Sequence, residues 1–476
     1  MQNALPARAP LSRYLALSAY WFGFSFHWFF LLPILMPADV ERLVGAAQKG
    51  TYLGWLSALA AIIPLVLPPF LGAWSDRIGK RMVFLTWGTA INVAGLAIML
   101  VAPGFAVYVV GYLLVQFGNS VASSPYTALI PDVVPEGERG RASGVMGFFQ
   151  LFSQIAGGVV AFALGGSRDG QYLAIIVVLT ISMLITYISI REPQRHRGES
   201  HQAVPNILAF ISDLTSLERR ILLVQAIVVF SLGFLLPPVI VAGNQISGWA
   251  LSFLFALFST ALALLSFAFR RSEYARLEYR DFRWVFLTRA FTETGRFAVQ
   301  PFLAFYLADV IGSFTVLGFK IEGAGLALTL LFVMLSVTAA VTAAFSGSLS
   351  DRIGKRPVVL VASLAMAAAA LGFALARNYE VAVLIGLAFG LGYGAFVSVD
   401  WALGTSVLPY QQHHARDMGV WHIAFVFPQL FQGIFGQLLD AGNAASKNGG
   451  YPLLFGVAVV FFVLGGVFVS KVRGVR

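Results

Sequence analysis

Four polar residues in an otherwise apolar stretch carry most of the chemistry in this 476-residue chain: Arg289, Glu293, Arg296 and Gln300. At about 100° per residue, their i, i+4, i+7 and i+11 spacing puts all four on one stripe of a helix. An ionisable side chain in hydrocarbon is costly, so it faces a partner, the protein interior or a water-filled cavity. The stripe therefore has to look inward. Glu293, between two arginines, has two readings. It locks helices together as a static triad, or it exchanges a proton or cation as a solute binds while an arginine modulates its charge. Arg289 lies about one turn from Trp284 and has a third option, reaching the membrane interface along its aliphatic stem.

Two more ionisable residues stand in apolar surroundings. Asp400, beside Trp401, falls at the depth of Arg289, so the two can pair; otherwise Asp400 reaches water at a helix end. His27, within Phe24-Ser-Phe-His27-Trp28, is either a proton relay, a hydroxyl partner or a hydrogen-bonded packing residue. His422 is a weaker candidate of the same kind. Candidate solute contacts in the first half are Tyr20, Trp28, Gln116, Asn119, Ser123, Tyr126, Gln150 and Gln154. In the second half they are Gln300, Tyr393, Trp401, Gln429 and Gln432. Amides and hydroxyls on an aromatic background suit a polyhydroxylated solute such as a sugar, although the same groups also hold membrane helices together.

Other chemistries find little support. The chain has no cysteine, and no His/Asp/Glu cluster has metal-ligand spacing, so neither a metal nor a cofactor is expected. Neither Gly-Lys-Arg run is followed by Ser or Thr, which rules against a phosphate loop. No nucleophile motif stands out, and an enzyme is not expected.

The elements that must position these residues are long apolar helices. The chain is 58% hydrophobic and 11% charged, with mean hydropathy +0.80, against about 25% charged residues in soluble domains. We read an all-α membrane protein with fourteen spans: 12–36, 51–71, 82–101, 105–128, 142–166 and 171–190, then 219–240 and 249–269. The last six are 284–309, 322–346, 357–376, 380–404, 418–439 and 452–471. The divisions are a bundle over 1–190, a linker over 191–218, two inserted helices and a loop over 219–283, and a second bundle over 284–476. With both termini in the cytoplasm, 24 of the 32 Lys and Arg residues fall in inside segments and six in outside loops, a strong positive-inside bias. The net charge of +10 thus sets orientation in a lipid bilayer and forms no nucleic-acid surface. A plasma (inner) membrane location and a monomer are expected.

One charged stretch occurs twice, 275 residues apart: Gly72-Ala-Trp-Ser-Asp76-Arg77-Ile-Gly79-Lys80-Arg81 and Gly347-Ser-Leu-Ser-Asp351-Arg352-Ile-Gly354-Lys355-Arg356. At the same offset Arg141 matches Arg416 and Gln154 matches Gln429. The first six spans therefore correspond to the last six, an arrangement of parallel halves found in transporters. The repeated stretch resembles the signature loop of the major facilitator superfamily. The segment Pro125-Tyr-Thr-Ala-Leu-Ile-Pro131-Asp132-Val-Val-Pro135, followed by Arg139-Gly-Arg141-Ala-Ser-Gly144, is similar to the glycoside/sucrose:cation symporter branch.

The resemblance implies a secondary transporter in which two six-helix halves alternate access to a midplane cavity. It also implies that the signature loops latch the cytoplasmic side, through Asp76, Arg77 and Arg81 with Arg141, and through Asp351, Arg352 and Arg356 with Arg416. Span 51–71 has no acidic residue, which favours a proton over sodium as the coupling ion. Proton-coupled symport of a sugar or similar polar solute is the first expectation, with Glu293, Asp400 and His27 as coupling groups. A drug or metabolite exporter, or a membrane scaffold or sensor that transports nothing, are the alternatives.

Overall fold

In lipid every backbone polar group has to be satisfied within its own segment or sheet, and helices do this locally. The computed structural model describes residues 11–134, 139–192, 215–221, 276–408 and 423–474, with short stretches at 223–224, 227, 239–241, 244–246 and 420–421. Helices dominate. The first group comprises α1 (Leu11–Phe30), α2 (Met36–Val44), α3 (Lys49–Ile78), α4 (Arg81–Val101), α5 (Phe105–Val133), α6 (Arg139–Ala163) and α7 (Arg168–Ser189). After a short antiparallel pair, β1 (Val239–Val241) and β2 (Asn244–Ile246), comes the second group. It comprises α8 (Arg280–Val299), α9 (Leu303–Tyr306), α10 (Ala324–Ile353), α11 (Lys355–Leu375), α12 (Tyr379–Ser406), α13 (Gln432–Ala445) and α14 (Gly450–Val469).

The segment that opens each group is interrupted, and proline explains where. Leu31–Leu35, between α1 and α2, is a wide π turn containing Pro33, which has no N–H for the i−4 carbonyl. In the second group Pro301 sits in a tight 3-10 turn, Gln300–Phe302, between α8 and α9. Pro428 lies in a similar turn, Phe427–Phe431, ahead of α13.

Among the described residues nine helices are long and apolar enough to cross a membrane. The predicted spans 142–166, 284–309 and 418–439 are not among them. The last two are broken by Pro301 and Pro428, and the middle one carries the Arg289–Gln300 stripe. Of the inserted spans, most of 219–240 and all of 249–269 lie outside the described residues. Residues 239–240 are strand, so a helix over 219–240 ends before them.

The duplicated stretch is less a loop than its charge suggests. Helix α3 continues through Asp76 and Arg77 to Ile78, and only Gly79, at φ 70°, turns the chain before α4. Its counterpart α10 continues to Ile353, and Gly354, at φ 98°, leads straight into α11. Of the four glycines in the two copies, only Gly79 and Gly354 turn the chain. Gly72 and Gly347 lie inside helices, where a Cβ would stand 3.8 Å from Ser124 Oγ and Ser398 Oγ respectively. Those two serines donate to the carbonyls of Pro68 and Ala343, at 2.9 and 3.0 Å. The repeat is thus a repeat of contacts as well as of letters.

Between the groups, α3 packs on α13 and α6 on α10, the second segment of one on the fifth of the other. The α3–α13 crossing is very close. A Cβ on Gly436 would stand 2.0 Å from Gly50 O, and one on Gly54 would stand 2.2 Å from Gln432 O. Small residues permit such an approach of helices in a membrane.

Candidate functional site

The stripe on α8 forms two ion pairs at successive depths. Arg289 Nη1 donates to Asp400 Oδ2 on α12. Both residues are buried, at 7% and 1% exposure, so Arg289 does not reach the interface. The guanidinium carbon lies 3.5 Å from the Trp421 ring centre and 5.9 Å from that of Trp401. A planar, weakly hydrated cation suits this aromatic enclosure. Asp400 Oδ1 and Arg289 Nε find no hydrogen-bond partner among the described residues.

One to two turns further along, Arg296 Nε donates 2.7 Å to Glu293 Oε2, and Arg296 Nη1 donates to Gln300 Oε1. Glu293 is 2% exposed. The Arg296 guanidinium also lies 4.2 Å from the Phe297 ring centre and 5.7 Å from that of Tyr393.

Arg296 and Gln300 open onto a cavity of about 240 Å³. Tyr393 of α12 lines it from one side, and Gln154 of α6 reaches in from the first group. Gln154 Oε1 accepts from Ser336 Oγ of α10 at 2.6 Å, a hydrogen bond that joins the two groups at the cavity wall. The remaining wall is mainly apolar and aromatic, including Phe332, Phe373, Phe389, Phe455 and Phe462. Glu293 itself stands behind Arg296, outside the lining. The arrangement offers a solute one polar end and an aromatic body, with a carboxylate one residue removed from contact.

Of the predicted site residues, the cavity gathers Gln154, Arg296, Gln300 and Tyr393. Tyr20 and Tyr126 pack edge to face in the core of the first group, with ring centres 4.9 Å apart, and Tyr126 OH donates to Leu17 O. Asn119 is also buried in that group, while Ser123, Trp28 and Gln429 are half-buried and do not line the cavity. Trp401 is 50% exposed and stacks edgewise on Trp421. His27 is fully buried against Trp28, and neither ring nitrogen has a partner among the described residues. His422 and Arg416 lie outside the described residues, as do the side chains of Asp76 and Arg141.

Sequence reasoning missed Ser336 and the phenylalanines. The one available signal was Phe389 and Tyr393 at i, i+4 on a single helix.

The signature arginines behave differently from simple interfacial anchors. Arg81 is 5% exposed, its backbone N–H donates to a Glu192 carboxylate oxygen, and Met82 N donates 3.2 Å to the other oxygen. Arg356 Nη1 donates to Val472 O. Each arginine position thereby ties the third long helix of its group to the chain leaving the sixth. Arg77, Asp351 and Arg352 are exposed.

Two interlocked groups of long apolar helices, related by an internal repeat and enclosing a polar-ended cavity, define a class of helical membrane protein. The profile of the Major Facilitator Superfamily matches residues 14–272 and 285–475, and the chain belongs to that family.

A class G tetracycline resistance protein of Vibrio anguillarum is 30% identical over 189 residues, covering 38% of this chain and 47% of that protein. The sucrose transport protein SUT2 of Oryza sativa subsp. indica is 24% identical over 233 residues, covering 39% of this chain and 45% of that protein. The chain thus matches about half the length of these relatives. Among solved structures, a peptide transporter in complex with sulfate superimposes with TM-score 0.70 at 16% identity, covering 98% of this chain and 97% of that one. A D-xylose–proton symporter gives TM-score 0.63 at 13% identity, covering 97% and 98%. At such identities these two speak for the fold alone.

Proposed function

We propose that this protein is a proton-coupled secondary transporter that moves a small polar solute, a sugar or a compound of similar hydrogen-bonding character, by alternating access. The observation that carries the reading is Glu293 held behind Arg296 at the polar end of the cavity. A solute that draws Arg296 toward itself weakens the Glu293–Arg296 contact, and the freed carboxylate then takes up a proton. Reversal on the other side of the membrane releases both. Asp400 with Arg289 forms a second charge pair on the path between cavity and cytoplasm, and His27 remains a candidate relay in the first group. Trp401, half exposed beside that pair, is a candidate contact for a solute on its way.

The orientation that fits the charge distribution puts the Gly79 and Gly354 turns and both termini in the cytoplasm, in a plasma (inner) membrane. The signature residues Asp76, Arg77, Arg141, Asp351, Arg352 and Arg416 then act as a latch on that side, with two inserted helices completing fourteen spans. Each molecule carries a complete cavity, consistent with a working monomer.

A second reading, export of an amphipathic drug or metabolite, is favoured by the aromatic cavity wall and by the similarity to tetracycline resistance proteins. Purified protein in proteoliposomes separates the two. A sugar panel and tetracycline are offered under separate inward proton and sodium gradients. Sugar accumulation under the proton gradient supports the first reading. Proton-driven movement of tetracycline in the opposite direction, without sugar uptake, favours the second. Transport of neither under either gradient sinks both.

A further inference from the structure

At the end of the molecule opposite the Gly79 and Gly354 turns, residues 312–323 join the first segment of the second group to α10. They carry a short hairpin, β3 (Thr315–Val316) and β4 (Phe319–Lys320), with Val316 opposite Phe319. Its base is pinned. Ile321 N–H donates 2.8 Å to Phe314 O, and the buried Phe314 ring packs edgewise on Tyr379, with ring centres 5.6 Å apart. Its tip is Leu317 and Gly318, where residue type and geometry disagree. Both have positive φ, 50° and 82°, as a two-residue I′ hairpin turn requires. Asn or Asp suits the first of these positions, because its short polar side chain tolerates the left-handed region; leucine does so at a cost. Among the described residues no packing offsets that cost: Leu317 is 86% exposed, and Phe319 is 76% exposed.

The tip is tied to a membrane-spanning helix. Leu317 N–H donates 3.1 Å to Oε1 of Glu380, the second residue of α12. It therefore lies at the level of the first turn of α12 and does not stand off into solvent. At about 100° per residue, Glu380 falls within about 40° of Leu384 and about 20° of Leu391 around that helix. Both leucines are exposed, on a helix long and apolar enough to cross a membrane. The cavity-lining Phe389 and Tyr393 stand about 140° and 180° from Leu384, on the far side of α12. Glu380 thus holds the tip over the face of α12 that meets lipid. The corresponding connection of the first group, residues 45–48, reads Gly-Ala-Ala-Gln and has no large apolar side chain.

We infer that Leu317 and Phe319 insert into the headgroup–acyl boundary of the bilayer, as an anchor that fixes the depth at which the hairpin and the start of α12 sit. Lys320, exposed next to Phe319, supplies an amine for lipid phosphates while its aliphatic stem lies along the apolar boundary. Lipid accounts for both oddities of the tip together. It gives two large apolar side chains an apolar phase, and it makes leucine worth keeping at a position where water would favour asparagine. The inference stands on the outward face of α12 and is independent of the solute, the coupling ion and the direction of transport.

The absence of native cysteine gives a direct test. Leu317→Cys, Phe319→Cys and Lys447→Cys each take a single nitroxide label. Lys447 is exposed in the connection from α13 to α14, at the same end of the molecule. In nanodiscs of phosphatidylcholine and phosphatidylglycerol, collisions with oxygen, which concentrates in lipid, and with a water-soluble nickel chelate report where each label sits. Oxygen should dominate at 317 and 319, and the chelate at 447. Adding Leu317→Asn should lower the oxygen-to-nickel ratio at residue 319 by about tenfold, the scale of withdrawing one leucine from an apolar phase. Chelate collisions at 317 and 319 as frequent as at 447 put the tip in water and overturn the inference. Labels shielded from both reagents put it under a second copy or another protein, which overturns it equally. The label at 319 leaves Leu317 in place, so the test does not hang on the turn tolerating a substitution.

Discussion

Two acidic side chains, Glu293 and Asp400, each have one arginine, but their surroundings set them different tasks. Asp400 faces Arg289 among Trp401, Trp421 and Phe425. Removing the carboxylate charge there leaves a cation in an aromatic enclosure. We expect D400N to lower stability by about 3–5 kcal/mol, seen as earlier thermal unfolding in detergent, and R289Q/D400N to recover most of it. Glu293 stands behind an arginine that lines the cavity. E293Q should reduce proton-driven accumulation at least about tenfold, while exchange of labelled for unlabelled solute continues; unchanged accumulation refutes its coupling role. The α8 stripe was legible in the sequence because charge at helical spacing in an apolar run has few explanations. Ser336 was not, because one serine in a membrane helix is ordinary and only the tertiary fold brings it to Gln154. His27 shows the converse: its chemistry drew attention, yet its ring is enclosed in the first group away from the cavity.

At the scale of the element, the signature stretch was recognisable by its residues and misread in shape. Ser, Asp, Arg and Ile carry no obligation to leave a helix, so α3 and α10 continue until glycine permits the turn. Gly79 sits at φ 70° and ψ 17°, in the left-handed region. Gly79→Ala should cost about 1–2 kcal/mol, measured as a lower unfolding midpoint, whereas Gly104→Ala, where a Cβ meets open space, should cost much less. Proline was legible as a breaker, but the kind of break was not. Pro33 gives a wide turn and Pro301 a tight one, so the proline ring alone does not decide between them.

For the molecule as a whole, the 275-residue offset read from the sequence predicted two equivalent halves, and the Ser124–Pro68 bond recurs as Ser398–Ala343, its carbonyls 275 and its serines 274 residues apart. How the halves meet could not be read. The α3–α13 crossing depends on Gly50, Gly54, Gly433 and Gly436 facing one another, and glycines alone do not announce their partners. The fourteen-span proposal makes its own prediction. A cysteine at Gly243, between the inserted helices, should react with a membrane-impermeant maleimide added outside intact cells. One at Glu199, in the linker, should react only after permeabilisation. The reverse pattern refutes the proposed orientation.

The glycine crossing carries one more consequence. Helices usually mesh by seating ridges of side chains in grooves, and separating them means lifting one set of teeth over another. Where Gly436 lies on Gly50 the two backbones meet directly, and the side chains that interlock there are Trp55 of α3 over Gly433 and Leu439 of α13 over Gly50. Parting this crossing should therefore need little unmeshing beyond that one indole and that one leucine.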